Sequence, residues 1–229
     1  MTSRTPRRKA SAAAAPQGLQ GPPRRDPERT RAAILEAAVG EFSDHGYSGA
    51  RTDRVAQRAG TNIRMLYHYF GSKDDLYVAV LEAVLADLRH DELQVGADHL
   101  QPLEGLLRIF DFVDNHFAAH PQLRKLLAFE NLNEARHLAR SARIPEMSTP
   151  VLSVIRKLLA RGAAAGTVRP GIDALHLYVA MVSLAYYGRA HAFTLSRIFE
   201  RDLNKGSWQK AHLNLTRQMV AAFLAPQAE

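Results

Sequence analysis

The sequence predicts an all-α protein of about nine helices. Apolar residues recur at intervals of three and four along most of the 229 residues, which is the spacing that lines one face of a helix. No segment alternates apolar and polar side chains with period two, as a half-buried strand does. Proline, aspartate and serine stand where the apolar stripes begin, and glycine follows several of them, as expected for helix boundaries.

The first predicted helix begins at Asp26-Pro27 and runs to about His45. Aspartate suits an N-cap, and proline suits the first helical position because its missing N–H costs nothing there. Gly46 is expected to end the helix. The stripe that faces the core is Ile34, Leu35, Ala38 and Phe42.

Two short helices are predicted next, at about Thr52–Ala59 and Ile63–Phe70, with Gly60-Thr61-Asn62 as the turn between them. Two short helices joined by a glycine turn and packed on a longer one are typical of a helix-turn-helix. In such a motif the second helix lies in the DNA major groove. The sequence therefore predicts a DNA-binding motif over about residues 51–70.

Spacing divides the second short helix into a buried and an outward face. Leu66 and Phe70 are four residues apart and are expected to face the core. This leaves four residues with hydrogen-bonding tips facing outward: Asn62, Arg64, Tyr67 and His68. Arginine pairs with guanine and asparagine with adenine through two hydrogen bonds each. The alternative is that Tyr67 and Tyr69 are core aromatics and that Arg64 only solvates a short helix.

Helices are predicted through the rest of the chain. Ser72 to Asp75 form a capping box that opens a long helix to about Leu93. Its buried stripe is Leu76, Val80, Val84 and Leu88. Later helices are predicted from Pro102, from Pro121 through Leu132 towards Arg140, from Thr149-Pro150 to Gly166, from Asp173 to about Phe193, and over Ser207–Leu224.

Composition excludes several classes of function. Cysteine is absent, so disulfides, thiolate metal sites and cysteine nucleophiles are excluded. No apolar run approaches the roughly 18 residues of a membrane span, and the N-terminus is too polar for a secretory signal, so we expect a cytoplasmic protein without a membrane partner. The sequence has no glycine-rich phosphate loop, G-x-S-x-G elbow or H-E-x-x-H helix, so we expect neither an enzyme nor a cofactor.

The net charge of +7 is concentrated at the N-terminus. Residues 1–26 contain six arginines and lysines and one aspartate, which leaves a net charge of only +2 for the rest. Because this segment is rich in Ala, Pro, Gly and Ser, we expect residues 1–25 to be a disordered basic tail. Such a tail either binds phosphate backbones or merely keeps the chain soluble.

Residues 29–82 resemble the DNA-binding domain of the TetR family of bacterial transcription regulators. The matching residues are Ile34-Leu35, Ala37-Ala38, Phe42, Gly46-Tyr47, Val55-Ala56, Ala59-Gly60, Leu66-Tyr67-His68-Tyr69-Phe70, Ser72-Lys73 and Leu76. The resemblance implies three N-terminal helices for DNA and about six more for a ligand and dimerisation. The predicted domains are a helix-turn-helix domain over 26–88 and a ligand-binding and dimerisation domain over 89–229.

The resemblance also implies roles for residues of the motif. Thr52 and Lys73 occupy positions that hold phosphates in the family, while the second helix supplies residues that contact or abut bases. The predicted DNA-binding set is Arg51, Thr52, Asn62, Ile63, Arg64, Met65, Tyr67, His68, Tyr69 and Lys73. Ala50 replaces the usual Thr or Ser cap of the helix at Thr52, and Asn62-Ile63-Arg64 replaces the usual Ser-x-Gly. The operator sequence therefore cannot be transferred from other members.

The second half resembles the family only in layout and, more weakly, members that control catabolic operons. Arg136, Arg140 and Arg143 would share one helical face that either binds an acidic ligand or is solvated. The candidate ligand-binding residues are Glu130, Asn133, His137, Arg140, Tyr178 and Tyr186. Packing at a dimer interface is the alternative for the tyrosines. His90 to Glu92 and Asp98-His99 lack the spacing of a metal site, so no metal is expected.

These observations favour a homodimeric repressor on double-stranded DNA. It is expected to bind an inverted-repeat operator and to release it when a small-molecule effector binds. An effector-independent regulator is one alternative, although about 130 residues exceed what DNA binding needs, and a helical enzyme is another. Activation rather than repression is also open, because both act through the same fold.

Overall fold

The computed structural model describes residues 26–226, and the predicted tail at residues 1–25 lies outside this range. Within it the chain forms ten α-helices, two short 3₁₀ turns and no strand. The all-α prediction is confirmed, with one helix more than the nine expected. The helices are α1 Pro27–Gly49, α2 Thr52–Arg58, α3 Ile63–Phe70, α4 Lys73–Gln94, α5 Pro102–Ala119, α6 Pro121–Leu132, α7 Arg143–Ala164, α8 Ala174–Ala190, α9 Ala192–Ile198 and α10 Gly206–Leu224.

Helices α1 to α4 pack around a first core that fixes the helix-turn-helix. The Asp26 side chain caps α1 by accepting a hydrogen bond from the Glu28 amide at 3.0 Å. Gly46 has a φ of 64° and kinks α1 at the position where its glycine predicted the end of the helix, and the helix continues beyond it to Gly49. The fully buried side chains of this core include Ile34, Phe42, Val55, Leu66 and Tyr77.

Helices α5, α7, α8 and α10 surround a second, larger core. Its buried members include Leu106, Phe110, Ile155, Leu158 and Met181. Helix α4 belongs to both cores, because Leu81 packs in the first and Leu88 in the second. Leu126 of α6 is buried in the first core as well, so α4 and α6 together join the first core to the body, which comprises the helices of the second core.

The segment after α6 departs from the prediction. Helix α6 ends at Leu132, and Glu134 and Ala135 both have a φ of 56°, which a helix cannot contain. Arg136, Arg140 and Arg143 therefore do not share a helical face, and that part of the prediction was wrong.

Helices α7 and α8 also differ from the predicted boundaries. Helix α7 begins at Arg143 and contains Pro150, which the sequence had suggested as its start. Pro150 and Glu146 are both exposed, so water can solvate the Glu146 carbonyl that Pro150 cannot bond. The helix predicted from Asp173 to Phe193 is divided at His191 into α8 and α9. Across residues 26–226, no helix combines the length and apolarity that a membrane span requires.

Candidate nucleic-acid interface and ligand cavities

Helix α3 presents a polar and aromatic face to solvent. Leu66 and Phe70 are buried on the first core, as the spacing predicts, and the opposite side of the helix is exposed. The exposed residues of α3 are Ile63, Arg64, Tyr67 and His68. Met65 and Tyr69 are only half-exposed, and Tyr69 lies edge-on to the His68 ring at 5.4 Å between ring centroids. This face has the size and chemistry that contacts in a major groove need.

Asn62 caps α3, which changes what its side chain can offer. Its Oδ1 accepts a hydrogen bond from the Met65 amide at 2.9 Å. A bidentate contact to adenine needs both the oxygen and the nitrogen of an asparagine amide. In the conformation observed, only the Asn62 nitrogen is available to DNA, so the predicted adenine pairing does not fit this rotamer.

The start of α2 is held by a residue that the sequence analysis did not identify. Arg51 is the N-cap residue and has no side-chain cap, consistent with Ala50 standing where a capping hydroxyl is common. Its amide instead donates to Oε1 of Glu41 in α1 at 3.0 Å. The Arg51 side chain pairs with Asp53 at 2.8 Å, and Thr52 Oγ1 lies 3.0 Å from the Tyr67 hydroxyl. The last contact joins α2 to α3 on the outer surface.

Glu41 is fully buried and accepts from more than one donor. Besides the Arg51 amide, its carboxylate contacts Arg54 at 2.6 Å and lies 3.8 Å from the Arg58 guanidinium. Burial acts to raise the pKa of Glu41, but the hydrogen bonds from Arg51 and Arg54 outweigh it, so the pKa lies below its ordinary value. Glu41 therefore remains ionised and fixes α2 on α1. The sequence carries a signal for this role, because Glu41 is a charged residue on the apolar stripe of Ile34 and Ala38.

Lys73 is half-buried between the two ends of the motif. Its ammonium donates to the Ala50 carbonyl at 2.7 Å and lies 4.8 Å from the centroid of the Tyr47 ring. Burial lowers the pKa of Lys73 from its ordinary value. These contacts orient the chain between α1 and α2. The contact of Lys73 with a DNA phosphate stays a prediction, and it would use N–H groups of the ammonium other than the one bonded to Ala50.

Four of the six predicted ligand-binding residues lie at the joint, where α6 and the segment after it meet the helices of the first core. Glu130 and His137 are both buried, and their side chains meet at 2.9 Å. The other Glu130 oxygen accepts from the His137 and Leu138 amides at 3.2 Å and 3.1 Å. The His137 ring packs on Tyr47 and Tyr77, with centroids 4.4 Å and 4.8 Å away. The pair thus connects the end of α6 to the aromatic rings of the first core.

Asn133 and Arg140 are engaged at the same joint. Asn133 donates to the Phe129 carbonyl at 2.6 Å. Arg140 bridges Asp74 and Asp75 at the start of α4, at 2.9 Å to each carboxylate. Arg143 pairs with Glu82 at 2.9 Å in the same way. Arg140 and Arg143 are therefore paired with carboxylates of α4, whereas the Arg136 guanidinium lies over the Tyr47 ring, 5.4 Å from its centroid.

Tyr178 and Tyr186 pack in the second core, and their hydroxyls form hydrogen bonds with different partners. The Tyr178 hydroxyl donates to Glu92 at 3.0 Å and accepts from Arg89, which also pairs with Glu92. Burial raises the pKa of both Tyr178 and Glu92. Tyr186 donates to the Arg124 carbonyl at 3.3 Å. The structure does not bring the six predicted residues into one cavity.

Several clefts among residues 26–226 are large enough for a small molecule, including two of about 600 Å³ or more. One, of about 900 Å³, lies between the end of α7, the start of α8 and the end of α10. The other, of about 600 Å³, lies between α1, α4 and the α5–α6 junction. No group of three or more His, Asp or Glu side chains among residues 26–226 is placed to hold a metal ion.

Helices α8 and α10 carry a row of exposed apolar side chains. Leu175 and Val179 are four residues apart on α8, as are Leu215 and Met219 on α10. The two helices also pack against each other. An exposed apolar surface of this kind marks an interaction site.

Comparison with known proteins gives matches over both halves of the chain. Residues 34–80 match the family model for bacterial regulatory proteins of the tetR family. Residues 102–220 match a model of the tetracyclin repressor-like C-terminal domain.

Individual relatives agree with the family models. The HTH-type transcriptional repressor NicS of Pseudomonas putida is 34% identical over 77% of this chain and 83% of its own length. The repressor SCO4008 of Streptomyces coelicolor is 37% identical over 70% of this chain and 80% of its own length. The crystal structure of SCO4942 from S. coelicolor, described as a transcriptional regulator, aligns with a TM-score of 0.60 at 26% identity and covers 83% of this chain and 97% of its own.

Proposed function

This chain belongs to the TetR family of bacterial regulatory proteins, and we propose that it is a dimeric repressor of transcription that binds an inverted-repeat operator. The observation that carries the proposal is the outward face of α3, where Ile63, Arg64, Tyr67 and His68 are exposed while Leu66 and Phe70 anchor the helix. Arg64 offers the paired donors that guanine O6 and N7 accept. NicS and SCO4008 are named repressors, which favours repression over activation.

The exposed apolar rows of α8 and α10 supply the dimer interface in this proposal. Each protomer has one helix-turn-helix, which contacts only a few base pairs, so two-fold pairing is needed for affinity and specificity. A two-fold interface buries the same patch on both subunits. Leu175, Val179, Leu215 and Met219 would then contact the same residues of the second subunit. The operator would be palindromic because the dimer has two-fold symmetry.

We propose that a small-molecule effector controls DNA binding by shifting the spacing of the two α3 helices. A ligand that prefers the DNA-incompetent spacing lowers operator affinity by its differential binding to the two states, typically about 1–3 kcal/mol. Helices α4 and α6 would connect the ligand-binding body to the DNA-binding half. Leu126 of α6 packs in the first core, and Glu130 of α6 pairs with His137 beside it.

Selection of bound fragments from random DNA with the full-length protein tests the proposal. We expect the retained sequences to share an inverted repeat and sedimentation to show one dimer on each site. A monomer that protects an asymmetric site would contradict the dimeric model. Thermal-shift screening of small molecules separates the effector-responsive regulator from an effector-independent one, and recovery of the hit unchanged separates it from an enzyme.

A further inference from the structure

The cleft of about 600 Å³ lies where the DNA-binding half meets the body. One wall is α1, through Leu35, Glu36 and Val39. The others are α4, through Val84 and Asp87, and the α5–α6 junction, whose lining residues are His116, His120, Gln122 and Leu123. A molecule in this cleft would contact both halves of the chain at once.

The floor of the cleft is apolar and its edges are acidic. Leu35, Val39, Val84 and Leu123 offer a surface on which a small hydrocarbon or aromatic group would be buried. Glu36 and Asp87 are both exposed, and neither has an ion-pair partner among residues 26–226. Within the described chain, no lysine or arginine lines the cleft. The cleft therefore carries an uncompensated negative charge beside an apolar surface.

His116 adds a buried polar group to this cleft. The residue is only 4% exposed, and neither ring nitrogen has a hydrogen bond within the described part of the chain. Its nearest carboxylate oxygen, on Asp91, is 3.9 Å from Nδ1, and its ring stacks on His120 with 4.0 Å between centroids. Because the residue lines the cleft, its ring offers a hydrogen-bonding group to a ligand bound there.

The charge state of His116 fits the same ligand. Burial lowers the pKa of this imidazole, and the neighbouring His120 lowers it further, while Asp87 and Asp91 act in the opposite direction and Arg89 in the same one. The net direction is downward from the ordinary value of 6.5. His116 is therefore neutral at pH 7, and it does not cancel the charges of Glu36 and Asp87.

We propose that this cleft binds a small amphipathic organic cation, such as an aromatic amine, between α1 and α4. Its apolar part would lie on Leu35, Val39, Val84 and Leu123, and its ammonium group would face Glu36 and Asp87. Because α1 forms one wall and α4 another, the bound cation fixes the angle between the DNA-binding half and the body. This regulatory consequence rests on the proposed function, whereas the binding itself does not.

Calorimetric titration of the full-length protein with tryptamine tests the binding. Indole-3-acetate is the matched anion and indole-3-ethanol the matched neutral compound. We expect one tryptamine per protomer, weaker binding of the neutral compound and none of the anion. Equal binding of the amine and the acid, or no binding of tryptamine, would overturn the proposal.

Variants locate the site. Both carboxylates are exposed, so the double variant Glu36→Gln, Asp87→Asn is expected to fold, and its thermal melting checks this. We expect it to bind tryptamine about tenfold more weakly, because two charge interactions are lost. Glu104→Gln, which removes an exposed carboxylate from the first turn of α5, is the control and should bind as the wild type does. Unchanged affinity in the double variant would refute this site.

The regulatory part has its own measurement. With an operator obtained by DNA selection, tryptamine should change operator affinity in the wild type and leave it unchanged in the double variant. If tryptamine binds without any change in operator affinity, the regulatory part is wrong and the binding site stands. If the protein selects no specific DNA, the proposed function fails, and the calorimetric result is unaffected.

Discussion

The Phe129 ring of α6 lies against the α-carbon of Gly46, so closely that a β-carbon at position 46 would stand 2.9 Å from Phe129 Cε1. Gly46 also has a φ of 64°, in the region that favours glycine. This contact fixes the end of α1 on the body, directly before the chain enters α2. It is a second link between the halves, beside the buried Glu130–His137 pair.

Gly46→Ala should destabilise the fold by more than backbone strain alone. We expect a loss of about 2–4 kcal/mol in the free energy of unfolding, from the left-handed φ and from the clash with Phe129. Gly60→Ala is the control for a positive φ without a clash, because Gly60 has a φ of 62° and no heavy atom within 4 Å of its added β-carbon. It should lose only about 1–2 kcal/mol. Gly46 also has a ψ of −179°, which adds to its backbone strain as alanine. Equal losses of unfolding free energy in urea denaturation would show that the contact with Phe129 does not add to the destabilisation.

Glu41 should make part of the stability dependent on acid. Because its folded pKa lies below the ordinary 4.5, its contribution is complete above about pH 4.5 and is lost as the pH falls through the folded value. Glu41→Gln should cost about 1–3 kcal/mol at pH 7, and the difference from the wild type should shrink towards pH 3. Glu146→Gln, at an exposed position, should show neither effect. Denaturation series at several pH values measure this, and a constant difference would contradict it.

The apolar rows of α8 and α10 should hold the dimer together. Leu215→Asp combined with Met219→Asp should yield monomers at micromolar concentration, since each side chain contributes about 1.5–3 kcal/mol when buried. Leu132→Asp is the control, because Leu132 is 80% exposed at the end of α6, outside these rows. Sedimentation velocity distinguishes them. A dimeric double variant, or a monomeric Leu132 variant, would place the interface elsewhere.

The sequence predicted the DNA-binding half better than the body, for physical reasons. Caps such as Asp26 and stops such as Gly46 are local signals, and the buried positions Leu66 and Phe70 follow from helical spacing alone. The end of α6 was missed because Glu134 and Ala135 adopt a positive φ without any glycine to announce it. The start of α7 was missed because Pro150 resembles an N-terminal residue, although its exposed position tolerates it inside the helix.

The partners of charged residues were beyond the sequence for a different reason. Arg140 lies 65 residues from Asp75, and Glu130 meets His137 only because the chain turns sharply after Leu132. Such pairs depend on tertiary packing, which periodicity does not encode. A helical face of arginines was the natural prediction, and the observed turn separates those arginines and brings each to a carboxylate or an aromatic ring.

Arg64 and Lys73 should affect DNA binding in different ways. Arg64→Ala should relax the preference for one base at a cost of about 1–3 kcal/mol, because a bidentate contact is lost. Lys73→Ala should weaken all sequences nearly equally and lower the salt exponent by about one. Since Lys73 also bonds to Ala50, its variant should melt at a lower temperature, which the Arg64 variant should not. The reverse pattern in a binding selection would mean that α3 is not the base-contacting helix.

The basic segment at residues 1–25 should strengthen DNA binding without choosing the sequence. Its six arginines and lysines precede α1, which begins the DNA-binding half. Arginine arms follow the phosphate backbone or enter a narrow minor groove, and each neutralised phosphate contributes about 0.9 to the salt exponent. If about two to four of these charges engage, deletion of residues 1–25 should lower the exponent by roughly two to four.

The deletion should therefore reduce affinity at every sequence and leave the ranking of operators unchanged. The loss should be largest at low salt, because screening weakens backbone contacts as the salt concentration rises. Fluorescence anisotropy over a salt series, on the selected operator and on a scrambled duplex, measures both quantities. A truncated protein with the same affinity and the same salt exponent would show that the segment serves only solubility. A changed ranking of operators would instead mean that its arginines contact bases.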